Sequence, residues 1–109
     1  MLLLSTKGAK TGKVRTVPVM YFEEGDQPFV IASAGGSPSD PAWFKNLKRD
    51  PAVRVEVGAD KYDARAEVLE GEDRARAWST AVARMPRFAD YEGKVKHVRE
   101  IPIVALRRS

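Results

Sequence analysis

Leu2-Leu3-Leu4-Ser5-Thr6 reads as a short buried strand, and residues 7–13, Lys-Gly-Ala-Lys-Thr-Gly-Lys, interrupt it with two glycines and small side chains. This spacing predicts a hairpin that returns through residues 14–22. On the return strand Val17, Val19 and Tyr21 read as one face, with Arg15, Thr16, Pro18 and Met20 around the other. Pro18 has no amide to give a ladder, so it marks an edge, a bulge or a position facing a ligand. After the turn signal Glu24-Gly25-Asp26, residues 28–34 are almost wholly apolar, as expected of a central strand covered on both faces.

Gly35-Gly36-Ser37-Pro38-Ser39 breaks that run, and Asp40 before Pro41 predicts a helix start with Asp40 as N-cap, the helix running to about Arg49. Val53, Val55 and Val57 alternate with Arg54 and Glu56, then turn at Gly58-Ala59-Asp60 into a partner strand over 61–69. Ala75, Trp78, Val82 and Met85 fall at helical spacing over 72–85, a second helical piece is expected over 88–98, and a last strand over 101–106. Six strands in hairpins, with two or three short helices between them, do not alternate as a doubly wound parallel sheet does. The expectation is an α+β, mainly β fold: a small antiparallel barrel, since closure removes exposed edges. Its 109 residues suit one domain, 1–109.

Composition narrows the chemistry. The chain has no cysteine and one histidine, His97, so thiolate metal sites and cysteine nucleophiles are excluded, and a zinc site or hydrolytic triad is poorly supplied; no metal is expected. No apolar run approaches the roughly 20 residues of a membrane span. A cytoplasmic protein is expected, peripheral to a membrane only if an N-terminal segment has been removed. The net charge of +4 is unevenly spread, with Lys7, Lys10, Lys13 and Arg15 all on the first hairpin. Such a cluster suits a phosphate or carboxylate ligand, or equally a solvated surface hairpin. It is not a nucleoside-triphosphate loop, because Val14 stands where a magnesium-binding hydroxyl is required and Gly8 and Gly12 are too close together. No aromatic residue interleaves with these cations, which argues against nucleic acid.

Two further segments can carry chemistry. Ala32-Ser33-Ala34-Gly35-Gly36 ends the apolar strand in small residues that let a ligand approach the backbone. The helix Pro41-Ala42-Trp43-Phe44-Lys45-Asn46-Leu47-Lys48-Arg49 pairs an apolar stripe with a basic face, and Asn46 with that face is a candidate groove wall.

Taken in order and spacing, the run from Leu2 to Pro18, then Ala32-Ser33-Ala34-Gly35-Gly36, Pro41-Ala42-Trp43-Phe44-Lys45-Asn46-Leu47, Asp50-Pro51, Asp90-Tyr91 and Arg99-Glu100-Ile101-Pro102-Ile103-Val104 resemble the deazaflavin-dependent nitroreductase family across essentially the whole chain. The resemblance implies a split β-barrel and an oxidoreductase that moves a hydride from reduced coenzyme F420, an 8-hydroxy-5-deazaflavin with a phosphate and an oligoglutamate tail. The acceptor it implies is a conjugated, quinone-like or nitroaromatic small molecule.

On that resemblance Lys10, Thr11, Lys13 and Arg15 face the phosphate and tail. Pro18, Met20, Ile31, Ala32, Ser33, Ala34, Gly35 and Gly36 lie against the ring, and Trp43 and Lys45 line the tail groove. Met20, Met85 and Phe88 wall the acceptor pocket together with Tyr91, the proton donor or a direct contact to the acceptor. Family members tied to nitroaromatic reduction are richer in tyrosine there, and Ala9 replaces a basic residue common in the hairpin. The rivals are an FMN-binding split-barrel oxidoreductase and a non-enzymatic cofactor-binding barrel. A monomer or a homodimer fits either way.

Overall fold

A computed structural model describes residues 2–8, 12–33, 39–95 and 100–108. The strands are β1 (Leu2–Lys7), β2 (Val14–Val19), β3 (Tyr21–Glu24), β4 (Gln27–Ile31), β5 (Ala52–Val57), β6 (Asp60–Val68) and β7 (Ile103–Arg108); the helices are α1 (Ala42–Arg49), α2 (Gly71–Arg84) and α3 (Arg87–Val95). The expected hairpins β1–β2 and β5–β6 both form.

The strands pair in the order β2-β1-β5-β6-β7-β4-β3, antiparallel throughout, which places β2 and β3 at opposite edges. In a flat sheet six spacings of about 4.8 Å would hold those edges roughly 29 Å apart. Yet only Met20 lies between them, and two residues of extended chain reach about 7 Å. The sheet must therefore curl until its edges meet. The segment 14–24 is one bent strand whose first half pairs with β1 and whose second half pairs with β4. The expected single strand over 14–22 is thus split at Met20, and the curled sheet is a half-barrel whose two edge strands join end to end there.

Alternation sorts the side chains into two cores. Leu2, Leu4, Val19, Val30, Val55, Val104 and Leu106 fill the first with Phe44 and Leu47 of α1. Phe22, Ile31, Ile101, Ile103 and Ala105 fill the second, covered by Ala77 and Ala81 of α2 and Phe88 and Val95 of α3. Consecutive β4-end residues Ile31 and Ala32 point to opposite cores, so this strand is covered on both faces, as its sequence requires. Arg74 fastens α2 to the lead-in of β7: its Nη2 donates to the Ile101 carbonyl at 2.8 Å, its Nε lies 2.5 Å from Glu100, and its guanidinium stacks 5.1 Å from the Trp78 ring.

One expected cap differs. Helix α1 opens at Ala42 with Pro41, not Asp40, as N-cap, and no cap side-chain hydrogen bond is made there. The fixed φ of proline, −67° at Pro41, supplies the turn into the helix instead.

Candidate functional site

Antiparallel alternation gives the barrel two unlike rims. At one rim lie the β1–β2 hairpin, the crossover from β4 through α1 to β5, and the α2–α3 passage from β6 to β7. At the other lie the end of β7 and the tight turns at Gly25 and Gly58, both at φ +59°, where a residue without Cβ avoids the strain of the left-handed region. Every long connection therefore collects at the first rim, where a scaffold can present functional groups.

The hairpin at this rim closes by Gly8 N–H donating to the Lys13 carbonyl at 2.7 Å and Gly12 N–H to the Gly8 carbonyl at 3.0 Å, with Gly12 at φ +68°. Lys7, Lys13 and Arg15 are exposed. Lys10 and Thr11 lie outside the described residues, as do Ala34, Gly35 and Gly36. Register decides where the cations point. Arg15 sits opposite Thr6, Val17 opposite Leu4 and Val19 opposite Leu2, and residues directly opposite share a sheet face. Arg15 therefore belongs with Val17 and Val19 on the inner face, a correction to the grouping expected from its charge. The outer face carries Ser5 and Thr16, whose hydroxyls meet at 2.7 Å, and the exposed Pro18 opposite Leu3.

Helix α1 covers the same inner face. Asn46 is buried and its Nδ2 donates to the buried Thr6 Oγ1 at 3.1 Å, while Lys7 reaches Asp50, just past the helix, at 3.9 Å. Asn46 is thus a tether, not the groove wall its sequence suggested. The helix presents Lys45, Lys48 and Arg49 to solvent, and Trp43 leans edge-on against Phe44 with centroids 6.3 Å apart. Among the described residues the buried polar ones are Thr6, Ser33 and Asn46, and all three belong to this rim. Sequence reasoning missed the Thr6–Asn46 pair. Its one signal was an amide three residues after Trp43, at the margin of the apolar stripe.

Of the residues expected around the ring and acceptor, Met20, Ile31, Met85, Phe88 and Tyr91 meet at the second core, whereas Ala32 belongs to the first and Pro18 to neither. Ile31 is buried in the second core, and Met20, Met85 and Tyr91 pack against it partly exposed. Phe88 is 1% exposed, with Tyr91 at 6.0 Å and Trp78 at 6.5 Å between ring centroids. Phe88 is therefore a core support beneath Tyr91. Ala32 is fully buried, its amide bonded to the Pro102 carbonyl at 3.0 Å, and Ser33 is 8% exposed beside it.

The opposite rim holds a groove of about 620 Å³ lined by Glu23, Glu24, Asp26, Gln27, Pro28, Val57, Asp60, Tyr62, Leu106 and Arg108. The Arg108 guanidinium stacks 3.9 Å from the Tyr62 ring, and burial pushes the Tyr62 hydroxyl up despite that cation. Four carboxylates against one guanidinium repel a polyanion. Among the described residues no cluster of His, Cys, Asp and Glu side chains could hold a metal ion, and no helix is long and apolar enough to cross a membrane.

Residues 1–108 match the family described as F420H(2)-dependent quinone reductase. The chain belongs to that family. The F420H(2)-dependent quinone reductase Rv1261c of Mycobacterium tuberculosis is 36% identical over 110 residues, covering 98% of this chain and 72% of that protein. A solved structure titled as an F420-H2 dependent reductase, FDR-A, superposes with a TM-score of 0.87 at 40% identity, over 97% of this chain and 92% of that one. A second structure with the same TM-score and identity, titled a domain-swapped dimer, covers 97% of this chain and 78% of its own. More distant likenesses at 14% to 18% identity share the split-barrel fold alone.

Proposed function

We propose that this protein, acting as one unit over residues 1–109, takes a hydride from reduced F420 and delivers it to a quinone-type acceptor. The observation that carries the reading is the set of exposed cations at the first rim, on a hairpin whose inner face meets α1; Met20, Met85 and Tyr91 gather separately at the margin of the second core. Family membership supplies the cofactor, and the donor set fits it. A guanidinium fork at Arg15 and ammonium groups at Lys10 and Lys13 suit a phosphate and carboxylates, with Lys45 and Trp43 on the adjoining helix. The family resemblance assigns further tail and ring contacts to Thr11, Ala34, Gly35 and Gly36, with Pro18 and Ser33 beside them, while the buried Ile31 and Ala32 support that wall from within the two cores.

When bound, the reduced deazaflavin supplies a hydride in a single two-electron step. The chain's own work is positional. Its cations hold the tail, and the end of β4 bounds the ring edge through the Ser33 hydroxyl and neighbouring amides. Met20 and Met85 keep the acceptor dry and close, which raises the effective concentration of the reacting pair. The Tyr91 hydroxyl gives a proton to the acceptor oxygen that gains charge as hydride arrives, so that hydride and proton together yield the hydroquinone. The expected setting is the cytoplasm, as a monomer or homodimer.

The test is fluorescence titration with F420, followed by F420H2 oxidation with a soluble quinone. Low-micromolar binding, weakened by salt and weakened at least tenfold in Lys13→Ala/Arg15→Ala, is expected, a change of about 1.4 kcal/mol. Equal affinity for FMN, or no turnover with quinone, would overturn the reading.

A further inference from the structure

Resting on the tail-site reading above, we infer that Asn46 and Thr6 are positioning residues: their buried hydrogen bond locks the cationic helix α1 to the cationic hairpin, so that the two form one surface for the polyanionic tail. The bond runs from Asn46 Nδ2 to Thr6 Oγ1 at 3.1 Å, with the side chains' residues 7% and 2% exposed. Core packing alone does not call for it, because Leu4, Phe44 and Leu47 already join α1 to the sheet through apolar contact. An apolar pair would serve stability as well, since replacing both partners of a buried hydrogen bond by matched apolar groups is close to neutral. What the polar pair adds is direction. A hydrogen bond admits a narrow range of distance and angle, whereas apolar contact lets a helix slide.

Both partners sit where direction matters. Thr6 lies opposite Arg15 across the β1–β2 ladder, and Asn46 follows Lys45 on α1. The exposed Lys7 also reaches Asp50, just past the helix, at 3.9 Å, a contact too long and too well solvated to fix a spacing. One buried link therefore sets the spacing between the cations of two separate elements.

The experiment compares wild type with Thr6→Val, Thr6→Ser, Thr6→Val/Asn46→Leu and Lys13→Ala/Arg15→Ala. Each is titrated with F420 and with the same deazaflavin lacking phosphate and tail. Thr6→Val strands the Asn46 amide and is expected to lower Tm by about 5 °C, and the double apolar variant to restore most of it. The double variant is nonetheless expected to bind F420 at least fivefold more weakly with a shallower salt dependence, and to bind the tail-less ring as wild type does. Thr6→Ser, which keeps the hydroxyl, should match wild type for both ligands. Should the double variant not fold, Thr6→Val/Asn46→Ala takes its place, with the same expectation.

Wild-type F420 affinity in the folded apolar variant, or an equal loss for both ligands, would make the link merely structural and overturn the proposal. If Lys13→Ala/Arg15→Ala also binds F420 normally, the tail-site reading has failed as well. If only that variant loses affinity, the positioning proposal fails alone.

Discussion

The two rims of this barrel are built from the same strands and have opposite characters. At one, long connections bring Lys13, Arg15 and the cations of α1 beside buried Thr6, Asn46 and Ser33. At the other, tight glycine turns leave a groove edged by Glu23, Glu24, Asp26 and Asp60. The groove is open and about 620 Å³ in volume, yet its charge is wrong for a phosphate and oligoglutamate tail. Cavity size and ligand chemistry thus point to different ends of one molecule. Chemistry decides, because a polyanion among four carboxylates pays repulsion that no shape complementarity offsets.

The contrast can be broken in several ways. The largest effect is expected in the second core, beneath Tyr91. Phe88→Ala empties a fully buried site and should cost about 3–5 kcal/mol of stability in denaturant unfolding, with activity lost only as the protein unfolds. Tyr91→Phe, one helical turn on, removes only a hydroxyl. It should leave the unfolding midpoint in place while kcat for quinone reduction falls on the order of 100-fold, F420 affinity being unchanged. A normal kcat in Tyr91→Phe would show that water protonates the acceptor instead.

Charge tests the rims directly. Lys13→Glu/Arg15→Glu should weaken F420 binding by well over tenfold, about 1.4 kcal/mol or more, in a fluorescence titration. Glu23→Lys/Asp26→Lys at the opposite rim should change it less than about twofold, since the intervening distance exceeds the Debye length of about 8 Å at physiological salt. Comparable effects from the two reversals would erase the distinction between the ends.

The smallest effect belongs to neither rim. The Arg107 guanidinium bonds both oxygens of Glu67 at 2.9 and 3.2 Å and holds that carboxyl below its ordinary value. A carboxylate lowered in the folded state binds fewer protons folded than unfolded. Its contribution is therefore present above the unfolded value and lost as pH falls through the lowered one. Both side chains are about half exposed, so solvent screening keeps the contribution below about 1 kcal/mol. Acid unfolding curves of wild type and Glu67→Gln should converge below that window and separate slightly above it.

Much of this arrangement was legible in the chain. The valine alternation 53–57 with its glycine turn gave β5 and β6 nearly to the residue, and Trp78, Val82 and Met85 marked α2. These signals are local, so local reading suffices. The break at Met20 was not legible, because 14–22 has strand propensity throughout and only the curling of the sheet bends it. Arg15 was assigned to the wrong face for a related reason: charge suggests solvent, but at a strand end the inner phase can itself open onto a rim. Asn46 hid because its partner, Thr6, lies 40 positions away. The apolar gathering of Met20, Ile31, Met85, Phe88 and Tyr91 was foreseen only through the family resemblance, and the structure shows Phe88 inside it rather than lining a mouth.

The most direct measurement is a crystal structure of the protein with F420 bound. The account predicts the phosphate or the first tail carboxylates within hydrogen-bond reach of Arg15 or Lys13, and the ring between the end of β4 and Tyr91. A complex with the tail turned toward the Glu23–Asp26 groove, or with Arg15 and Lys13 extended into solvent, would contradict it.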